Sequence, residues 1–132
     1  MASQLAKNKE TVRVLLEACN EKPFEGSKMA RYVDEDVVST RPTGITRGKD
    51  KWISGFSFVL NEKMPNFHYD IVNMVAEGHQ VWVFGKIRGS YAVGNDDAEV
   101  RESIDLFELG EDGKVKAHRD VQQNAPLKVP EL

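Results

Sequence analysis

The sequence contains a single cysteine, Cys19, among its 132 residues. One thiol cannot form an intrachain disulfide or a zinc site built from several thiolates, and it is typical of proteins in a reducing compartment. Cys19 falls on the apolar side of a predicted helix, so we interpret it as a small buried hydrophobe. Because the first residues also lack the basic and apolar segments of a signal peptide, we expect the protein in the cytoplasm.

The chain also lacks a basic excess and a long apolar run. Its 18 Lys and Arg stand against 21 Asp and Glu, a net charge of −3, which leaves no surplus of positive charge for nucleic-acid phosphates. No basic cluster predicts contact with an anionic membrane surface. No apolar run approaches the roughly 18 residues of a membrane-spanning helix. We therefore expect neither nucleic acid nor a membrane as a partner.

The composition is that of an ordinary globular chain. Hydrophobic residues make up 40% and charged residues 30% of the sequence, which argues against disorder. This length suits one hydrophobic core. We expect a single domain over residues 1–132, with an ordered core of about 4–123 and a short C-terminal tail.

The first half of the chain shows helical periodicity in three places. Apolar spacing predicts a helix over about Gln4–Asn20 and another over about Lys49–Lys63, which Pro65 ends. Between them, Ser27 is a candidate N-cap for a short helix. That helix would carry Met29, Tyr32 and Val33.

Strand patterns surround and follow the third helix. The β-branched segment Val37–Thr40 predicts a short strand, closed by the turn Arg41–Gly44. After Pro65 the apolar period changes to two, which predicts further strands. These cover about Phe67–Ala76, Val81–Tyr91, Val100–Leu109 and Val115–Gln123. A polar loop, Gly94–Asp97, and a glycine hairpin, Gly110–Lys114, separate the later strands.

This order of elements predicts an α+β fold. Three N-terminal helices would pack on one face of a strongly curved antiparallel sheet, in the shape of a cone. Helices need not fill such a sheet completely, and the remaining space would be a pocket for an apolar small molecule. The opposite face would carry Trp82, so we also expect a homodimer.

Asp105 is the most informative single residue, because carboxylates are disfavoured in the middle of a strand. Alternation places it on one face with Phe107 and Leu109. Burial there would raise the pKa of Asp105 and keep it protonated as a hydrogen-bond donor. The alternative is an Asp paired with a basic residue or lying at a wet sheet edge.

The last strand places His118 and Asp120 on one face, two residues apart. An imidazole beside a carboxylate is a possible acid/base pair, with the histidine tuning the carboxylate. The hairpin Gly110–Lys114 would bring Asp105 within a few residue pairs of Asp120. The alternative is a solvated terminal strand whose polar face points outward.

Arg41 and four aromatic residues complete the candidate site. Arg41, at the end of the first strand, would reach the mouth of the pocket and neutralise an enolate, although a surface position is the more common one for such a residue. Core packing explains the aromatic residues most simply, and pocket lining is one form of it. They are Trp52, Phe56 and Tyr69, and Phe107 on the face of Asp105. Trp82 is likewise explained most simply as core, or equally as part of a subunit interface.

Several sites of known chemistry have no counterpart in the sequence. The three histidines lack metal-ligand spacing. There is no phosphate-binding glycine loop, no nucleophile elbow and no dinucleotide fingerprint. We therefore expect no metal and no cofactor.

The chain resembles the SnoaL-like branch of the NTF2-like superfamily, which includes polyketide cyclases and is related in fold to ketosteroid isomerases and limonene-epoxide hydrolases. The resemblance covers about residues 5–123. Its most specific part runs from Asp105-Leu106-Phe107-Glu108-Leu109, through the glycine hairpin, to His118-Arg119-Asp120. The start of the third helix, Gly48-Lys49-Asp50, and the segment Val75-Ala76-Glu77-Gly78 are also typical of the family.

The resemblance implies roles for two carboxylates. Asp120 matches the acid/base of the cyclases, which takes a proton from the carbon next to a carbonyl and starts an aldol closure. Asp105 matches the protonated carboxyl of the isomerase oxyanion hole, at a position where the cyclases carry a histidine. The isomerase base appears here as Arg41, and the Arg-x-Asp pair of the hydrolases appears as Gly85 and Ile87.

The leading hypothesis is therefore a cofactor-independent cyclase or isomerase that acts on a carbonyl-bearing polyketide or terpenoid. Asp120 would be the general base, His118 would tune it, and Asp105 would donate a hydrogen bond to the enolate oxygen. The rivals are a non-catalytic binding or assembly domain of the same fold, and a dehydratase or other lyase.

Overall fold

The computed structural model describes residues 3–89 and 100–124, in which helices precede most of the strands. The helices are α1 (Gln4–Ala18), α2 (Gly26–Ala30) and α3 (Lys49–Phe58), and a π-helical turn (Val59–Lys63) continues α3. The strands are β1 (Val33–Arg41), β2 (Gly44–Arg47), β3 (His68–Glu77), β4 (Gln80–Arg88), β5 (Val100–Leu109) and β6 (Val115–Asn124). This is the predicted α+β architecture.

Helix α1 is stabilised by an N-cap at its start and by an apolar stripe that packs on the sheet. The Ser3 hydroxyl accepts a hydrogen bond from the backbone N–H of Ala6, which satisfies one of the free donors of the first turn. Val12, Leu15 and Leu16 are buried along one side of the helix. That side packs on β3 and β4, so α1 covers the half of the sheet that carries Tyr69.

The second helix differs from its prediction. Its N-cap residue is Glu25 rather than Ser27, and the helix ends at Ala30. Val33 does not belong to it, because this β-branched residue opens β1 and pairs with Val115 of β6. Both valines are fully buried, so burial in the sheet outweighs the helical spacing of Val33.

The six strands form one sheet in the order β2-β1-β6-β5-β4-β3. Strand β1 runs parallel to β6, whereas the other neighbours are antiparallel. The predicted meander of the four later strands is antiparallel, as expected, and only the neighbour of β1 adds a parallel pair that the sequence did not indicate. Residue periodicity indicates which side chains share a face, but it carries no information on strand direction.

Strand boundaries follow the predictions in part. Strand β5 has the predicted bounds, and β1 is longer than the predicted Val37–Thr40. The short strand β2 was not predicted; it forms because the chain turns back after Arg41 and pairs with β1. The predicted strand end at Tyr91 and the loop Gly94–Asp97 lie outside the described residues.

The core lies between the helices and one face of the sheet. Met29 of α2, Trp52 of α3 and Val83 of β4 are buried there, as is Cys19, as predicted. The opposite face keeps large apolar side chains in water, including Trp82. No helix among residues 3–89 and 100–124 is long and apolar enough to cross a membrane.

Candidate active site

A cavity of about 640 Å³ lies between the helices and the sheet. Its wall is mainly apolar, and its polar groups come chiefly from β5, β6 and the end of β1. All eight residues predicted for the site line this cavity. They are Asp105, His118, Asp120, Arg41, Trp52, Phe56, Tyr69 and Phe107.

The two carboxylates meet because of the register between β5 and β6. Asp105 lies directly opposite Asp120, and Phe107 lies opposite His118. Since side chains alternate along a strand, all four point to the helix side of the sheet. All four are buried, whereas Ile104, the neighbour of Asp105, is 48% exposed on the other face.

Asp105 accepts hydrogen bonds on both of its carboxylate oxygens. The hydroxyls of Tyr69 and Ser103 each donate to Oδ2 at 2.7 Å. His118 Nε2 lies 2.8 Å from Oδ1. Asp105 therefore sits in a ring of donors rather than beside apolar groups alone.

These donors overturn the prediction of a protonated Asp105. Burial acts to raise the pKa of this carboxyl. The hydrogen bonds and the nearby imidazole together outweigh burial and hold the pKa of Asp105 below its ordinary value. Asp105 is consequently a carboxylate and an acceptor, and it has no proton to donate to an enolate oxygen.

His118 is held between Asp105 and a residue that the sequence did not indicate. Its Nδ1 lies 2.9 Å from the hydroxyl of Ser39, which is fully buried on β1. Because Asp105 is ionised, His118 Nε2 carries a proton and donates it to Asp105 in this hydrogen bond. The hydrogen-bonded partner of His118 is therefore Asp105, not Asp120 as predicted. Asp105 and His118 are diagonal neighbours on the adjacent strands β5 and β6, and this position brings the carboxylate within hydrogen-bond distance of the imidazole.

Two aromatic rings pack against the imidazole of His118. The ring centroids of Phe107 and Trp52 lie 4.8 Å and 5.4 Å from that of His118. Together with the two hydrogen bonds, these contacts fix the orientation of His118. Phe107 and Trp52 thus line the cavity and also hold His118 in the hydrogen-bond network.

Asp120 has a different environment from Asp105. Its Oδ2 accepts a hydrogen bond from Gln122 Nε2 at 2.8 Å and lies 3.7 Å from Arg41 Nε. Its Oδ1 is buried and has no hydrogen-bond partner within the described part of the chain. The side chain of Asp120 is only 2% exposed. One carboxylate oxygen therefore remains unsatisfied in a residue that lines the cavity.

Arg41 lies at the end of β1, as predicted, beside the exposed residues Pro42 and Thr43 that also line the cavity. Its guanidinium stacks 5.4 Å from the centre of the Phe56 ring. Its Nε is buried without a hydrogen-bond acceptor, since Asp120 at 3.7 Å is beyond hydrogen-bond distance. Arg41 thus forms an ion pair with Asp120, and its Nε–H is still available to donate a hydrogen bond, since no described residue accepts it.

Tyr69 reaches Asp105 because Gly85 leaves it room. A methyl group on Gly85 would overlap the Tyr69 ring and its hydroxyl. The backbone of Tyr69 is also fixed, because the Asn20 side chain accepts from its N–H at 2.7 Å and donates to its carbonyl at 2.9 Å. Burial, reinforced by the negative charge of Asp105, raises the pKa of Tyr69, which therefore keeps its proton as a donor.

Four residues of this network had no predicted role: Ser39, Ser103, Asn20 and Gly85. Only Gly85 had a local signal, since a glycine inside a strand often marks the close approach of another group. Ser103 lies two residues from Asp105 on the same face of β5, but its hydroxyl was not recognised as a donor. Ser39 and Asn20 act through contacts between distant segments. Ser39, for example, faces His118 only because β1 and β6 are parallel neighbours.

Cys19 also lines the cavity but has no sign of reactivity. Burial raises the pKa of its thiol to about 12, so the thiolate is not formed near neutral pH. The thiol donates to the Leu15 carbonyl at 3.5 Å. Cys19 therefore acts as part of the apolar wall.

The three polar residues form a cluster that histidine spacing did not reveal. One ligand-type atom each from Asp105, His118 and Asp120 lies within 4.8 Å of the others. Two carboxylates and an imidazole form a donor set that divalent metals use. However, both nitrogens of His118 and both oxygens of Asp105 already have hydrogen-bond partners. Ligation of a metal by His118 would have to break one of its two hydrogen bonds, so the imidazole does not fit a resident metal in this arrangement.

A six-stranded sheet with helices on one side, enclosing an apolar cavity with buried carboxylates, defines the class of cone-shaped α+β domains with an internal small-molecule site. The model of the SnoaL-like domain matches residues 12–118. The chain therefore belongs to the SnoaL-like family, as its resemblance predicted. A comparison with the curated proteins finds no match.

Solved structures with similar folds include three bacterial proteins. A candidate SnoaL-like polyketide cyclase from Jannaschia sp. CCS1 is 18% identical with a TM-score of 0.76, over 92% of this chain and 89% of that one. A candidate ketosteroid isomerase from Kribbella flavida DSM 17836 is 15% identical with a TM-score of 0.73, over 98% and 87%. An NTF2-like protein of unknown function from Cytophaga hutchinsonii ATCC 33406 is 17% identical with a TM-score of 0.69, over 93% and 95%. These likenesses establish the NTF2-like fold.

Proposed function

We propose that this protein is a cofactor-independent cyclase or isomerase that acts by acid–base chemistry on a carbonyl-bearing, largely apolar polyketide or terpenoid. The observation that carries the proposal is the free Oδ1 of Asp120, a buried carboxylate oxygen without a partner in a residue that lines an apolar cavity. The candidate isomerase and candidate cyclase among the similar structures are consistent with this chemistry.

Asp120 is the general base in this scheme. It takes a proton from the carbon next to the substrate carbonyl, and the electron pair of that C–H bond moves into an enolate. In an isomerisation the same carboxyl returns the proton to another carbon of the conjugated enolate. In an aldol closure the enolate carbon forms a bond to the carbon of a second substrate carbonyl, whose π electrons move to oxygen, and the carboxyl gives its proton to that alkoxide. A positioned base of this kind contributes about 10²–10⁴-fold to the rate.

Arg41 replaces Asp105 as the group that stabilises the enolate. Its guanidinium lies beside Asp120 and has a buried N–H without an acceptor. A cation beside a developing oxyanion lowers the barrier, by a few kcal/mol in a water-excluded site and by less here, because 38% of the Arg41 side chain is exposed. Asp105 and His118 then have a positioning role, because their hydrogen bonds hold the floor of the cavity in place.

Deuterium exchange of a simple ketone tests the base without knowledge of the natural substrate. The probe is 2-tetralone in D₂O, with loss of the proton signal next to its carbonyl followed by NMR. We expect the wild-type protein to accelerate this exchange and Asp120→Asn to lower the rate by about 10²-fold or more, because it removes the base and conserves shape. Binding of the ketone should remain.

Asp50→Asn is the matched control, since Asp50 is an exposed carboxylate in the first turn of α3. It should exchange the probe at the wild-type rate. Equal rates for the wild type and Asp120→Asn would overturn the proposal. Binding without any acceleration would favour the non-catalytic binding domain instead, and exchange followed by loss of water from a natural substrate would indicate a lyase.

We further propose that the protein works as a homodimer in the cytoplasm. The exposed apolar face of the sheet supports the dimer. The single cysteine, buried and unpaired, is compatible with a reducing compartment. An apolar small molecule is the partner that the cavity suits, and the net charge of −3 gives no support for nucleic-acid binding.

A further inference from the structure

Arg41 is a cation in a wall that is otherwise largely apolar. The guanidinium packs on Phe56, which in turn packs on Trp52 with ring centroids 5.3 Å apart. Its Nε is shielded from water and donates to no acceptor in the described chain. A buried donor without a partner costs about 1–3 kcal/mol, and a bound acceptor would recover that cost.

Charge around the cavity favours an anionic ligand near Arg41. Lys63, from the π-helical turn, also lines the cavity. Among the described residues that line it, the acidic groups are Asp105, which three donors already satisfy, and Asp120. The contact between Asp120 and Arg41 is an ion pair at 3.7 Å without a hydrogen bond, so the guanidinium retains donors for a second anion.

We propose that the cavity recognises apolar organic anions, with a hydrophobic body against Trp52 and Phe56 and an anionic oxygen bound to Arg41. This deepens the proposed function and rests on it, since it names the substrate class as a molecule whose carbonyl-bearing body carries a carboxylate, phenolate or similar head group. Arginine suits this role because its planar, permanently charged fork forms charge-assisted hydrogen bonds. The same guanidinium then neutralises the enolate as it forms.

Two fluorescent probes with one shared body test the proposal. 8-Anilino-1-naphthalenesulfonate is an anion, and N-phenyl-1-naphthylamine is the same anilinonaphthalene without the sulfonate. We expect the wild-type protein to bind the sulfonate about tenfold more tightly than the neutral probe, the effect of one charge-assisted contact. Arg41→Gln should remove this preference and leave the affinity for the neutral probe unchanged.

Arg13→Gln is the matched control, because Arg13 lies on the exposed side of α1 and pairs only locally with Glu10. It should keep the wild-type preference. Asp120→Asn provides a second reading that does not depend on the folding of Arg41→Gln. It should tighten binding of the sulfonate several-fold and leave the neutral probe unaffected, since it removes the competing carboxylate from Arg41.

Equal affinity of the wild type for both probes would overturn the proposal. So would a preference for the sulfonate that survives Arg41→Gln, because the anion would then bind elsewhere, for example on the exposed face of the sheet. Looser or unchanged sulfonate binding in Asp120→Asn would also count against it. The ketone in the exchange assay is neutral, so that assay tests the base separately, and either idea can fail alone.

Discussion

Asp105 is a buried carboxylate that the fold keeps ionised. An isolated carboxylate in an apolar interior is strongly disfavoured, and it usually becomes neutral instead. Here two hydroxyls and one imidazole donate to it at 2.7–2.8 Å. The energy of charge-assisted hydrogen bonds, about 1.5–3 kcal/mol each, explains why the carboxylate form is retained.

The lowered pKa of Asp105 makes stability depend on pH in the acid range. Its folded pKa lies below that of the unfolded chain, so its contribution is complete above about pH 4 and is lost as the pH falls through the folded pKa. We expect the free energy of unfolding of Asp105→Asn to fall less steeply with acidification. The difference in slope reaches at most about 1.4 kcal/mol per pH unit, the value for one proton.

Urea denaturation at a series of pH values below 5 measures this slope. Asp36→Asn, which removes an exposed carboxylate from β1, controls for the general effect of one less acidic group. If the free energy of unfolding depends on pH in the same way for the wild type, Asp105→Asn and Asp36→Asn, then folding does not lower the pKa of Asp105.

Single residues of the site were predictable where local periodicity determined their position. Alternation grouped Asp105 with Phe107 on one face of its strand and His118 with Asp120 on one face of theirs, but it did not determine which face points to the cavity. Their partners were not predictable, because Tyr69 lies 36 residues from Asp105 and Ser39 lies 79 residues from His118. The pKa of Asp105 was predicted in the wrong direction because only burial was considered. Ser103 and His118 were not recognised as donors to Asp105, and Tyr69 comes from a distant strand.

At the scale of elements, the site depends on a side chain of β3 that passes over β4. Gly85 provides the space for the Tyr69 ring. We expect Gly85→Ala to destabilise the protein by about 1–3 kcal/mol, the usual cost of overpacking, and to disturb the hydrogen bond from Tyr69 to Asp105. Chemical denaturation measures the first effect, and the pH dependence of stability reports the second.

Gly55→Ala is the matched control, since a methyl group on Gly55 of α3 would meet open space. It should be neutral or stabilising by about 0.5–1 kcal/mol, because alanine favours a helix. In a Tyr69→Leu background, the cost of Gly85→Ala should shrink, since the ring it would strike is gone. An undiminished cost there would show that the strain does not involve Tyr69.

Elements with a long, regular apolar periodicity were predicted well, and short elements without one were not. The long, regular elements α1 and β5 agree with their predictions, apart from the last turn of α1. The four-residue strand β2 carries exposed Ile45 and no clear alternation. The π-helical turn Val59–Lys63 keeps the apolar spacing of a helix, so residue spacing does not distinguish it from the end of α3.

The whole molecule leaves an apolar stripe across the outer face of its sheet. Val75, Trp82, Ile104 and Val121 are between 42% and 62% exposed, on four adjacent strands. Water contact with such a stripe is unfavourable, at about 25 cal/mol per Å² of apolar surface. We expect a dimer at tens of micromolar by sedimentation velocity, and a shift toward monomer for Ile104→Lys.

Phe58→Lys is the control, because Phe58 is 50% exposed on α3, on the opposite side of the sheet. It introduces the same charge and should leave the sedimentation coefficient unchanged. A wild-type protein that sediments as a monomer would refute the dimer. Ile104→Lys that remains a dimer would place the interface elsewhere.

The pairing of β1 with β6 has a consequence for biosynthesis. His118 and Asp120 are both on β6, the last described strand, and Ser39, which holds His118, is on β1 near the other end of the chain. Until β6 is present, β1 and β2 have no pairing with the rest of the sheet, and the chain lacks both the proposed base and the imidazole of its network. Catalytic competence would arise in one step, when β6 inserts between β1 and β5, so truncated translation products would carry no partial activity.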